Sequence, residues 1–353
     1  MSIRGTLVKA AVNAKAKVTE NTEESIPLDR VNELWHSYSP VEKIVSIGAV
    51  DGSLNRKEFL SHILYAVGAN SVYFKEEGKE EKLWEDYLVD VGVLKPHEYS
   101  DSRLRLYMGI LEIKALLKIG NEKKPEILLL DGSLIGNIIR PVTFSFQVDE
   151  VIKNSIEQNL FPILKENFSF SKIDSQTLQK TLLENFPREF FPVVAGYLEY
   201  LEYLIALETL FKNFLSNIIS ISKRSSSRVY GFDSVLPDIA IFQKCNLPVG
   251  FSKPVEKEIT PDIKYNFPRV FSNSFRNKKI NIFYVKFKHD IYKVETILSP
   301  KTVFDNLSYA IINGYPLPLK LAHDRVKITN RDMETLSLIL GENSRTGREG
   351  VDI

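Results

Sequence analysis

Two near-copies of one short motif carry the most suggestive chemistry in this sequence. AVDGSL at Ala49–Leu54 and LLDGSL at Leu129–Leu134 each place an aspartate at the end of an apolar run and follow it with glycine and serine. Glycine there lets the backbone turn and keeps the space beside the carboxylate open, so a cation or phosphate can approach Asp51 or Asp131. A pair of ordinary Asp-Gly hairpin turns is the plain alternative for either copy alone. Glu112 supplies a third acid. On a helix it stands one turn from Met108 and from Leu116, within or beside the apolar stripe. Burying a lone carboxylate is expensive, so Glu112 needs a compensating partner. A nearby lysine or arginine would make it structural; a divalent cation shared with Asp51 and Asp131 would make it catalytic.

Further candidates lie in the second half of the chain. His323 can ligate a metal when neutral or meet an anion when protonated, with a partly buried helix histidine as the alternative. Tyr315 suits substrate stacking or a phosphate hydrogen bond, or plain packing. Pro316 and Pro318 fall between it and His323, so helical spacing alone does not bring the two together. Lys223, Arg224 and Arg228 flank a serine-rich turn where flexible donors could hold a phosphate backbone. Between Lys253 and Lys293 ten Lys/Arg face four Asp/Glu, with Tyr265, Phe267, Phe271, Phe275, Phe283, Tyr284 and Phe287 interleaved. That stretch reads as a basic groove whose aromatics could stack bases, although strand periodicity makes most of them core residues.

These residues need a scaffold. IVSIGAV at Ile44–Val50 reads as a buried strand ending in a turn at Asp51-Gly52. Strand-like runs follow at Phe59–Phe74 and Leu83–Leu94, joined by a GKEEK hairpin loop. A helix is expected from Ser100–Ser102 through Ile119, stopped by Gly120 and Asn121. After Pro125 the run ILLL into Asp131 resembles a central strand covered on both faces. Long helical patterns fill residues 149–219, with apolar side chains on more than one face, as in a buried helix or one that also meets a partner. Strands at Ile218–Lys223, Ile280–Lys288 and Ile291–Leu298 come next. Helices at Val303–Ile312, Leu319–Val326 and Arg331–Leu340 close the chain. Residues 1–40 read as a polar lead-in with a helix near Asp29–His36, and 341–353 as a frayed tail.

Composition sets outer bounds. The 353 residues carry 46 Lys+Arg against 45 Asp+Glu with 44% apolar content, which excludes wholesale disorder and a uniformly basic nucleic-acid coat. One cysteine, Cys245, excludes an internal disulfide or a cysteine-rich zinc site and favours a reducing, cytoplasmic setting. No secretory signal is recognisable, and no stretch reaches about 18 uninterrupted apolar residues, so no membrane association is expected.

An acid after the first strand, another on the helix behind a three-stranded meander and a third after the next strand resemble the ribonuclease H-like nuclease core. In that core the first and fourth strands lie side by side and a helix delivers the glutamate. VDGSL, LEIK, LLDGSL, ISISKRSSS and GYPLPLKLAH, in this order and spacing, resemble the NurA family of DNA nucleases from about Ile44 to Leu340. The resemblance implies an α/β fold with a mixed sheet flanked by helices and a large helical insertion at about 149–217, within a nuclease domain over 41–340. It implies a metal-dependent enzyme, typically using Mn2+, with Mg2+ as the other choice, that cuts single-stranded DNA as a 5′-to-3′ exonuclease and endonuclease. It also implies a homodimer working with a HerA-type hexameric translocase in DNA end processing. Asp51, Glu112, Asp131 and His323 would hold metal, Tyr315 would join them in catalysis, and Lys223, Arg224 and Arg228 would bind DNA. Hard oxygen ligands suit such ions, which can activate water for phosphodiester hydrolysis. An actin-like or sugar-kinase-like phosphotransfer protein, or a noncatalytic DNA-binding relative, are the competing readings.

Overall fold

The computed structural model describes residues 3–22, 26–77, 80–95, 97–139, 148–260 and 267–342. Its strands in chain order are β1 (Trp35–Ser37), β2 (Ile47–Glu58), β3 (Ile63–Glu77), β4 (Glu80–Leu94), β5 (Ile127–Asp131), β6 (Ile218–Ser222), β7 (Gly250–Ser252), β8 (Val255–Glu258), β9 (Lys279–Lys286) and β10 (Ile291–Thr296). They form one mixed sheet in the order β1-β7-β9-β10-β6-β5-β2-β3-β4, with β8 beside β9. β2, β3 and β4 are the expected antiparallel meander. β5 then runs parallel to β2 and to β6 in the middle of the sheet, which explains its unbroken apolar sequence: both faces are covered. The first and fourth strands of the expected core, β2 and β5, are therefore neighbours.

On one face of the sheet the helix Ser100–Lys123 packs against Phe191–Phe214 and against β2 and β3. Leu104, Leu111, Leu128, Leu130, Leu198 and Leu204 are among the side chains buried there. Phe191–Phe214 is apolar around most of its circumference and long enough to span a membrane, but 83% of its apolar window is buried inside the protein, as the core-packing alternative required. Two ion-pair clusters tie these helices together. Arg103 meets Glu199 and Tyr107; Lys114 meets Asp174 and Glu202 at 2.7 and 2.5 Å. On the opposite face Ile47, Ala49, Leu129, Ile219 and Ile221 pack under Phe304 of Pro300–Leu307 and Leu319 of Leu317–Val326.

Several expected boundaries move. β2 does not stop at Asp51-Gly52. It continues to Glu58, with Asp51 opposite Asn70 and Gly52 opposite Ala69 in the β3 ladder. The second strand begins at Ile63 rather than Phe59. β3 and β4 extend to Glu77 and from Glu80, so the ladder takes in part of the GKEEK loop, whose residues 78–79 lie outside the described ones. The Ser100 helix runs past Gly120 to Lys123, because Gly120 leaves room for the ring of Phe214 instead of ending the helix. The helix expected over 303–312 ends at Leu307; Ile311–Ile312 pairs with Tyr315–Pro316 in a small ladder leading into Leu317–Val326. The helix near Asp29 stops at Leu34, and Trp35–Ser37 joins the sheet by pairing with Gly250–Ser252.

Candidate active site

Alternation along β2 and β5 sets the site's geometry. Ala49 and Leu129 point to the face covered by Leu317–Val326, while Val50 and Leu130 point to the Ser100–Lys123 side. Asp51 and Asp131, two residues beyond Ala49 and Leu129, therefore share a face. The Ala49↔Leu129 register makes them neighbours across the parallel pair. β5 ends at Asp131 while β2 runs on, which opens the edge of β2 beyond Val50. Glu112 enters at that opening from the other face, and its carboxylate packs against Gly52.

The two glycines of the repeated motif serve different needs. A Cβ on Gly52 would lie 2.8 Å from the Glu112 Cγ and Cδ, so the glycine is required by close approach. Gly132 has φ +109°, a conformation that strains any L side chain. Neither copy is the hairpin turn that its sequence also permitted. One lies inside a strand, and the other leads from a strand into the short helix at Gly136.

Around the acids the structure assembles the remaining expected residues. The His323 imidazole meets Asp51 through Nδ1 at 2.6 Å. Lys223 donates to Asp131 Oδ2 at 2.9 Å, and Tyr315 donates to the same oxygen at 3.2 Å. The Lys223 ammonium also sits 4.4 Å from the centre of the Tyr315 ring. Tyr315 arrives on its own short strand and His323 on the helix that follows, which is how prolines between them coexist with their convergence.

The electrostatics are those of crowded negative charge. Burial pushes the Glu112 carboxyl up to about 8, helped by the charges of Asp51 and Asp131, with the Gly52 N–H pulling the other way. Asp51 is also raised, first by burial, against the hydrogen bond from His323 that favours its ionised form. The Tyr315 hydroxyl is held far above its ordinary range by burial and by Asp131.

This donor set suits a hard divalent cation: three carboxylates, one of them kept from ionising by burial and by the other two. As placed, among the described residues no three His, Cys, Asp or Glu side chains close a metal shell. The reason is visible in the pairing: Asp51 is turned to His323, and Asp131 to Lys223 and Tyr315. Asp51, Asp131 and Glu112 would hold the ion once those side chains rearranged.

Arg224 and Arg228 line a cavity next to Ser133, and Arg228 donates to the Val235 carbonyl. Among the described aromatics of the basic 253–293 stretch, Phe267, Phe271, Phe275, Phe283 and Tyr284 are core residues and the half-buried Phe287 packs against Phe304, while Tyr265 lies outside the described residues. Sequence reasoning missed Glu295. This fully buried acid accepts Ser133 Oγ at 2.9 Å, the Leu134 N–H at 2.7 Å and the Lys293 ammonium at 2.5 Å, so it fixes the loop that follows Asp131. Its signal in the sequence is the pair of charges in IYKVET, an otherwise apolar strand.

Fold and site together define a mixed α/β protein with an acid-lined centre where β5 ends beside the continuing β2. Residues 45–328 match the family described as NurA domain. The chain belongs to the NurA family. It is 30% identical over 314 residues to the probable DNA double-strand break repair nuclease NurA of Methanocaldococcus jannaschii, covering 82% of this chain and 77% of that one. It is 27% identical over 327 residues to the DNA double-strand break repair nuclease NurA of Saccharolobus solfataricus, covering 89% and 86%. The crystal structure of the NurA nuclease from Sulfolobus solfataricus superposes with a TM-score of 0.70 at 24% identity over 100% and 99% of the chains. A crystal structure of NurA with manganese gives 0.68 at 18% identity over 96% and 99%.

Proposed function

We propose that this chain is a metal-dependent nuclease that hydrolyses DNA phosphodiester bonds, with Mn2+ or Mg2+ as its cofactor. One observation carries the reading: Asp51 and Asp131 stand side by side on neighbouring parallel strands, at the level where β5 stops and β2 runs on, while Glu112 reaches the same place through the gap that β5 leaves. Family membership and the names of the relatives support it, and so does the solved NurA structure bound to dAMP and manganese. That membership leaves the actin-like alternative without support.

A divalent cation held by the three acids would activate water and stabilise the leaving oxygen. The chain's own groups prepare the rest. His323, half exposed and hydrogen-bonded to Asp51, is placed to pass a proton at the mouth of the site. Lys223 compensates Asp131 and brings positive charge to an incoming phosphate. Tyr315 anchors Asp131 and backs Lys223 with its ring. Arg224 and Arg228 lie where flanking DNA would pass. The 5′-to-3′ polarity, the HerA-type translocase and the homodimer belong to the same reading through the family resemblance.

The direct test incubates end-labelled single- and double-stranded DNA with the protein, with and without Mn2+ or Mg2+. Cleavage that requires metal and disappears in Asp51→Ala and Asp131→Ala is expected. Full activity in Asp131→Ala would reject the assignment.

A further inference from the structure

The end of β6 divides the surroundings of Asp131 into two unlike cavities. Side chains alternate along an extended chain, and here Lys223 points one way while Ser222 and Arg224 point the other. Lys223 shares a cavity of about 450 Å3 with Tyr292, Tyr315 and Ile291. Ser222 and Arg224 share one of about 770 Å3 with Ser133, Lys257 and Lys293.

The larger cavity has a distinct chemistry. Its described lining holds four cations, Arg224, Arg228, Lys257 and Lys293, against the single acid Glu295, together with the hydroxyls of five serines and no aromatic ring. Glu295 is already engaged by Ser133, by the Leu134 and Ile135 N–H groups and by Lys293, so it does little to offset the remaining cations. Lys293 is itself buried, 7% exposed, and forms part of a fixed wall. Ser133 lies two residues from Asp131, so the cavity opens beside that acid. Hydroxyls and cations without rings recognise phosphate oxygens; bases are held by rings.

We propose that this cavity takes the phosphodiester adjacent to the one being cut, so that the strand is gripped by its backbone through Arg224, Lys257 and the Ser225–Ser227 turn. The proposal rests on the nuclease reading above and adds the place and chemistry of a neighbouring subsite.

Its test uses single-stranded oligonucleotides, binding measured by fluorescence anisotropy in EDTA over a salt series, and cleavage measured with Mn2+. The Arg224→Ala/Lys257→Ala double variant should bind at least tenfold more weakly at low salt. Its plot of log Kd against log salt should flatten by roughly 0.7, the contribution of the one single-strand phosphate that the variant no longer neutralises. In the cleavage arm a neutral methylphosphonate beside the cut bond should raise the wild-type KM at least tenfold, with a smaller effect on kcat, and should add no further loss in the double variant. An unchanged salt slope, or losses from the variant and the methylphosphonate that multiply, would overturn the subsite. Absence of wild-type cleavage with a flattened slope in the variant would sink the nuclease reading and leave the phosphate cavity standing.

Discussion

Glu112 and Gly52 are locked together: the glutamate carboxylate occupies the space that a side chain at Gly52 would need, with its Cγ and Cδ only 2.8 Å from an added Cβ. Gly52→Ala should therefore push Glu112 out of line without disturbing the β2–β3 ladder, since the position has no need of a left-handed backbone. Misplacement of a catalytic group by about 1 Å costs on the order of 100-fold in rate. A kcat within threefold of wild type in Gly52→Ala would show that Glu112 is not part of the chemistry.

The crowding of the acids sets a pH dependence. The folded, metal-free protein holds a proton on Glu112 up to about pH 8, whereas an ordinary glutamate loses it near 4.5. A raised acid pKa stabilises the folded state fully below about 4.5, and that contribution is lost as pH rises toward and through 8. Glu112→Gln should abolish cleavage yet melt higher than wild type in EDTA at pH 8 and above, by a few kcal/mol at most. Mn2+ should narrow the difference by stabilising the wild type. Equal melting curves for the two proteins across that range, in EDTA, would refute the account.

Glu295 acts through what it accepts. Glu295→Ala with Lys293→Met removes the acceptor for Ser133, Leu134 and Ile135 and should lower kcat on the order of 100-fold by releasing the loop beyond Asp131. Glu295→Gln with Lys293→Met keeps an oxygen acceptor and avoids a stranded buried ammonium, so it should retain activity within about tenfold. Steady-state kinetics beside thermal melts separate the two; equal losses in both variants would make Glu295 a stability residue alone.

Lys114 lies two positions from Glu112 but faces the helical layer, buried between Asp174 and Glu202. Lys114→Met leaves Glu202 without its cation and Asp174 with only the more distant Lys172, at 4.0 Å, and should cost about 3–5 kcal/mol of stability. The kcat of the fraction still folded at low temperature should stay near wild type. A selective loss of kcat would place Lys114 in the site.

The sequence speaks most clearly where pattern and chemistry coincide. The meander, the Ser100 helix and the buried β5 follow from apolar runs that are respectively strand-like, helically spaced and unbroken, and the acids stand out because polar groups interrupt those runs. Asp-Gly is a turn signal, so local preference alone ends the first strand at Asp51. The long antiparallel pairing with β3 overrides that preference, because Gly52 is needed for space and not for a bend. Glu295 stays hidden because its partners, Ser133 and Leu134, lie more than 160 positions earlier, and a buried acid in a strand gives no hint of what it holds. The aromatics of 267–284 resemble stacking surfaces in sequence, but the packing of their strands and turns against the rest of the core covers them.

The three acids all come from the first 131 residues, but the groups that hold two of them arrive much later: Lys223, Tyr315 and His323. β10, which flanks β6 and carries Glu295, also comes late. A ribosome must therefore deliver nearly the entire polypeptide before the acid cluster and the side chains that pair with it can come together. A fragment ending before residue 290 would hold Asp51, Glu112 and Asp131 and still lack Tyr315 and His323, two of the three side chains that hold them.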